Sequence, residues 1–314
     1  MVVCFGLVLS SRKVVSSSSS TTAEAVLIVV DQSGKGDYRK IQEAINSVAS
    51  NNSQRMYISI KPGTYRKIVT PAEKPFITLS GTEGSNTTIT WNDSGEIFES
   101  PTLSVMASDF VARYLTIQVS FHIKIPILCY MIYLKIASFS CCYQMFSLSV
   151  GYIVLLTMTT NHVFISRCKT VWQNCQLNSL AKNLGIITAQ HRNSPSENTG
   201  FIFLGCKITG LDNSTVLGRP WGPFSRVIFA NTYMSNAVSP EGWRDWDETK
   251  YERYQHYGEY KCYGPGANRS NRVKWSHELS RDESAPFMNK TIIGGRSWLR
   301  PTPTRFKKHM PNAN

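Results

Sequence analysis

The chain has 314 residues, 42% of them hydrophobic, with 20 Gly and 14 Pro. That is enough for one large core or at most two modest domains, and it excludes fibrous and disordered classes. The formal net charge of +13 points to a polyanionic partner, either nucleic acid or acidic polysaccharide, because a positive surface concentrates negative chains around it. No zinc-finger spacing, basic helix or aromatic RNA-binding signature occurs, which argues against nucleic acid.

Met1 to Ser10 is apolar and reads as a short signal-peptide core, although no basic residue precedes the apolar run. Ser16 to Ser20 reads as a linker. Residues 1–25 are therefore expected to form a signal or linker segment of a secreted protein, and Asn-x-Ser/Thr sequons at Asn51, Asn86, Asn92, Asn213, Asn268 and Asn289 fit secretion. The folded domain is expected over 26–302, followed by a basic tail over 303–314. Val26 to Val30 predicts a strand, Gly34 to Asp37 a turn, and Ile41, Ala44, Ile45 and Val48 recur at helical spacing.

Short β-branched runs cut by Gly, Asn and Pro follow. They are Tyr57 to Ile60, Phe76 to Leu79, Thr87 to Thr90 and Leu115 to Gln118, then Val163 to Ile165, Val171 to Cys175, Ile186 to Ala189, Phe201 to Leu204, Val216 to Leu217 and Val227 to Ala230. Short strands with little helix between them suit an antiparallel sandwich or a parallel β-helix, and periodicity leaves both open. In a β-helix the early amphipathic helix would cover the open end of the stack. The eight cysteines, Cys4, Cys129, Cys141, Cys142, Cys168, Cys175, Cys206 and Cys262, form no C-x-x-C pair. They read mostly as free buried thiols rather than as a zinc site or a disulfide framework.

The stretch 119–161 breaks the pattern. It is apolar and aromatic, with Lys124 and Lys135 as its formal charges, and Ile136 to Thr159 carries none. That length could cross a bilayer, but its many Ser and Thr, paired Cys and a Gln argue against a membrane span. No Asp or Glu occurs between Asp109 and Glu197.

Leu217-Gly218-Arg219-Pro220-Trp221-Gly222 resembles a signature of esterases that demethylate pectin. Other blocks match in the same order: Gly36-Asp37-Tyr38 with Ile41-Gln42-Glu43-Ala44-Ile45, Lys61-Pro62-Gly63-Thr64-Tyr65-Arg66, Ile187-Thr188-Ala189-Gln190, Gly242-Trp243 to Trp246, Tyr257-Gly258-Glu259-Tyr260, and Gly294-Gly295 with Trp298-Leu299. On these blocks the chain resembles the plant pectinesterases. The resemblance implies an all-β, right-handed parallel β-helix with an early capping helix. It also implies hydrolysis of the methyl esters of homogalacturonan in cell-wall modification and pectin breakdown, no metal or organic cofactor, a cell-wall location and a monomer.

Related enzymes use two aspartates, one as nucleophile and one as acid and base, with a glutamine for the oxyanion, an arginine that holds the nucleophile, and a tryptophan against the sugar. Arg219 and Trp221 match the last two roles. Counting back from Thr170-Val171-Trp172-Gln173-Asn174-Cys175, the nucleophile position falls on His162. The acid and oxyanion blocks have no equivalent in Val119 to Asn161, the segment that should carry them. The expected function is therefore that of a pectinesterase-like protein, with a catalytically inactive pectin-binding homologue as the alternative. The replaced segment is expected to leave two half-solenoids facing a foreign insert, poorly ordered over 119–160.

Overall fold

A computed structural model describes residues 24–83, 86–91, 102–119, 132–133, 145–149, 156–158, 164–166, 169–181, 184–245, 256–289, 292 and 303–309. The repeating unit is clearest in the second half. The strand Lys169–Gln173 ends at Asn174, where a φ of 51° turns the chain into Gln176–Ser179, and a wider loop leads to Gly185–Gln190. One coil later the same path runs through Gly200–Leu204, Gly205 at φ 60°, Lys207–Gly210 and Thr215–Pro220. The third begins with Arg226–Ala230, Asn231 at φ 49° and Tyr233–Met234. Asn and Gly fall at this corner because the left-handed region costs them least.

Corresponding strands of successive coils pair in parallel. Among the described residues they build sheets of eleven, seven, four and two strands. The result is a right-handed parallel β-helix, the hand favoured for parallel crossovers. Alternation along each strand sends every second side chain inward. In the eleven-stranded sheet the register places Trp172 beside Phe203 and Phe203 beside Phe229. Their rings stack, with centroids 6.0 Å and 4.4 Å apart. Trp243 and Tyr257 continue the column with tilted and edge-on contacts of 5.8 Å and 4.8 Å. All five rings are fully buried.

The expected early helix is present over Ile41–Ser47, with Ile41, Ala44 and Ile45 buried in the core. Two expectations change. First, the atypical segment does not divide the stack. Met145–Ser149 and Leu156–Met158 pair in parallel with coils on both sides, and Ile132–Tyr133 pairs in parallel with Phe164–Ser166; Met145–Ser149 sits between Phe110–Arg113 and Lys169–Gln173 in the eleven-stranded sheet. An uncharged run rich in β-formers can satisfy a backbone ladder whatever its ancestry. The expectation of poor order over the rest of 119–160 lies outside the described residues.

Second, residues 303–309 are not merely a basic tail. Phe306–Lys308 pairs in parallel with Ala25 to Leu27 and covers the free edge of the first coil. Phe306 packs on Tyr57 at 5.2 Å, and Lys307 pairs with Glu24 at 2.9 Å. Covering an edge with a strand satisfies backbone groups that would otherwise invite pairing with another chain.

Cys175, Cys206 and Cys262 are free thiols, the first two buried. A hydrogen bond with Cys206 and then burial raise the Cys175 thiol well above its ordinary value, and burial pushes Cys262 up to about 12. The other five cysteines lie outside the described residues. Among the described residues, no helix is long and apolar enough to cross a membrane.

Truncating Phe203, clamped between Trp172 and Phe229, should open a cavity in the middle of the ring column. Phe203→Ala is expected to cost about 3–5 kcal/mol of stability, read as a lowered midpoint in urea unfolding followed by tryptophan fluorescence.

Candidate active site

The four-stranded sheet holds the strands Ile132–Tyr133, Phe164–Ser166, Gly185–Gln190 and Thr215–Pro220 in that order. Its register lines up Phe164 with Thr188 and Gly218, Ile165 with Ala189 and Arg219, and Ser166 with Gln190 and Pro220. Arg219 is therefore two rungs, about 10 Å, from Ile165. His162 precedes Ile165 by three residues and lies outside the described residues.

The strand carrying Arg219 is held from both sides. The Thr188 hydroxyl donates to the Leu217 carbonyl at 2.9 Å, and the Leu217 amide donates to the Gly242 carbonyl at 2.7 Å. Position 218 accepts only glycine at this spacing. A Cβ there would lie 1.9 Å from the Thr188 hydroxyl oxygen and 2.9 Å from the Thr188 carbonyl oxygen. Gly222 meets the same constraint, since a Cβ would stand 2.6 Å from the Arg192 carbonyl oxygen and 2.7 Å from the His191 ring. These close approaches explain the two glycines that bracket Arg219-Pro220-Trp221.

Trp221 is half-buried and its indole stacks on the His191 imidazole, with centroids 5.3 Å apart and planes at 30°. Its amide donates to the Gln190 carbonyl at 3.1 Å. Gln190 is fully buried and serves as a bracket. Its amide nitrogen donates to the His191 carbonyl and the Thr199 hydroxyl, both at 3.2 Å, and its amide oxygen accepts from the Arg226 backbone at 2.8 Å. The Gln190 carbonyl also accepts from the Ser225 hydroxyl. The loop after His191 is organised by buried Arg192, whose guanidinium donates to the carbonyls of Pro195 at 2.5 Å, Glu197 at 2.7 Å and Phe224 at 3.2 Å.

Positive charge accumulates beside this corner. Burial lowers the Arg192 guanidinium from its ordinary value, and burial followed by repulsion from Arg192 lowers Arg226 to about 10. Burial, then Arg226, Arg192 and His277, hold His256 below the usual imidazole range. An anionic polymer meets favourable potential here, and an aromatic face beside it suits sugar C–H surfaces.

Sequence reasoning reads Arg219 and Trp221 from one motif but misses their neighbours. His191 carries no motif of its own. Arg244 and Asp245 reach the edge of the sheet through the bridge between Gly218 and Trp243, with the Arg244 amide donating to the Gly218 carbonyl at 3.1 Å. The matched Glu259 is structural. It is 2% exposed and accepts from Arg272 Nε and Nη2 at 3.0 and 3.1 Å, from Arg269 at 2.5 Å and from the Trp243 indole at 3.1 Å.

The sequence model of the family described as Pectinesterase matches residues 27–121 and 155–296. The chain belongs to the pectinesterase family. "Putative pectinesterase 11" of Arabidopsis thaliana is 48% identical over 298 residues, covering 90% of this chain and 83% of that protein. Pectinesterase QRT1 of the same plant is 32% identical over 300 residues, covering 87% and 79%. The pectin methylesterase from carrot superposes with a TM-score of 0.65 at 24% identity, covering 91% of this chain and 98% of that one, a likeness of fold. A pectin methylesterase in complex with a hexasaccharide superposes with a TM-score of 0.58 at 23% identity, covering 91% and 99%. The gap in the family match, 122–154, falls within the segment that the sequence pattern sets apart.

Gly218→Ala should push the Thr215–Pro220 strand off Thr188, with a stability cost of about 1–3 kcal/mol and weakened binding of methylated pectin, measured by thermal melting and by affinity electrophoresis. A pH effect follows from His256. Unfolded, it takes up a proton near 6.5, and folded only at lower pH. The folded state thus loses stability as pH falls below about 6.5. His256→Gln should flatten that loss in melting curves taken between neutral pH and pH about 5.

Proposed function

We propose that this pectinesterase-family chain holds methyl-esterified homogalacturonan along the four-stranded sheet, with Trp221 against a sugar ring and Arg219 beside the ester, and hydrolyses the ester to a carboxylate and methanol. The observation that carries the reading is the register joining the strand after His162, the Gly185–Gln190 strand and the Arg219 strand, with the Trp221–His191 stack at its end. In this scheme His162 takes a proton from water, and the water oxygen bonds to the acyl carbon. Arg219 stabilises the developing negative charge, the acyl C–O bond breaks, and the departing methoxide takes the proton.

The family membership, the apolar start and the sequons support secretion to the cell wall. The chain is proposed to work as a monomer, without nucleic acid or a membrane span. A second reading, a pectin-binding homologue without turnover, is favoured by one observation: the stretch between Asp109 and Glu197 holds no carboxylate side chain, whereas two-carboxylate ester hydrolysis needs two.

Methanol release from methylated pectin decides between them. Under the first reading purified full-length protein releases methanol, His162→Ala abolishes the release, and Trp221→Ala weakens pectin binding about fivefold to tenfold. Binding without methanol would sink the esterase reading and leave the binding one.

A further inference from the structure

The outward face of the seven-stranded sheet carries a second aromatic feature, away from the four-stranded sheet. On this sheet Leu177, Ile208 and Met234 point into the core and are buried. Alternation therefore turns Gln176, Lys207 and Tyr233 outward. The register places Gln176 beside Lys207, Lys207 beside Tyr233, and Tyr233 beside Tyr263. These four residues form one external row with a rung spacing of about 4.8 Å.

The row is held in shape. The Tyr233 and Tyr263 rings meet edge to face at 5.6 Å, and the Lys207 ammonium lies 5.7 Å from the centre of the Tyr233 ring. Gly264, at φ 97°, leaves its backbone bare under the Tyr233 ring, where a Cβ would stand 2.8 Å away. Tyr263 is 58% exposed, the most exposed large hydrophobic side chain among the described residues. The described strands of this sheet, Gly63–Tyr65, Thr87–Trp91, Thr116–Val119, Leu156–Met158, Gln176–Ser179, Lys207–Gly210 and Tyr233–Met234, contain no Asp or Glu, and Lys207 is their one charged residue. The face is thus polar and uncharged except where a cation sits beside exposed rings.

We propose that this row is a second polysaccharide-binding surface that takes a de-esterified uronate chain. The exposed Tyr263 ring packs against the C–H face of one sugar, and the Lys207 ammonium pairs with the free carboxylate of a neighbouring unit. A methyl ester presents no charge to Lys207, so the surface prefers the demethylated polymer to the methylated one. The choice of polymer rests on the function proposed above, while the row of side chains does not. Such a surface would keep the protein on regions of polymer already freed of methyl groups while the four-stranded sheet engages an esterified stretch, and two linked contacts raise the effective concentration at each.

The test is affinity electrophoresis of the full chain at low salt through gels containing fully de-esterified polygalacturonate, highly methylated pectin or a neutral glucan. The double variant Tyr263→Ala/Lys207→Gln should bind polygalacturonate about fivefold more weakly, as expected for one ring contact and one exposed ion pair. Its retardation by methylated pectin should change less than twofold. Tyr263→Phe/Lys207→Arg should retain most of the polygalacturonate binding. Unchanged retardation of the double variant by polygalacturonate overturns the proposal, as does an equal loss on the neutral glucan. Failure of the function proposed above would show separately, as unchanged binding of methylated pectin by Trp221→Ala.

Discussion

A parallel β-helix is held by the demand that each coil reproduce the path of the last, so that strands about 4.8 Å apart exchange their backbone hydrogen bonds in register. No coil buries its own apolar face, because the neighbour above and the neighbour below do it. Everything else in this molecule follows from that requirement. The rings of Trp172, Phe203 and Phe229 can stack only because their strands pair residue for residue. Asn174, Gly205 and Asn231 recur because the corner must turn in the same way on every coil. Arg219 stands beside Ala189 and Ile165 for the same reason.

The same rule accounts for the tolerance of the stack to a foreign-looking segment. Register is a property of backbones, and side chains matter to it only by not obstructing the approach. Met145–Ser149 is placed between coils that carry recognisable family sequence, although 122–154 matches no part of the family model. Architecture and chemistry therefore separate in this protein. The scaffold needs only apolar and β-branched residues at inward positions, whereas ester hydrolysis needs particular atoms at particular places.

Much of the fold was legible in the sequence, because short runs such as Phe201 to Leu204 and Val227 to Ala230 are the strands themselves to within one residue. The decision between sandwich and solenoid came from ordered motif blocks, since both folds need the same short strands. Lys207–Gly210 and Gln176–Ser179 do not read as strands because their inward residues are only Ile208 and Leu177, too few to register as an apolar run. Phe306–Lys308 does not read as a strand because its basic composition suits a solvated tail. At the candidate site, Arg219 and Trp221 were legible from one motif. The partnership of Trp221 with His191 was not, because 30 positions of chain separate them and only the coil repeat brings them together. Gln190 and Glu259 were seen as motif members, but their duties as bracket and buried anion depend on partners such as Arg226 and Arg272 that no local pattern names.

The strand Phe306–Lys308 lies against Ala25 to Leu27, so a late-made strand completes a coil made much earlier. A chain emerging from the ribosome can stack its coils one after another, yet the edge at Ala25 to Leu27 stays uncovered until Phe306–Lys308 has been made. During that interval the bare rim of one nascent molecule is available to that of another, which makes self-association during biosynthesis a hazard that ends only when that strand arrives.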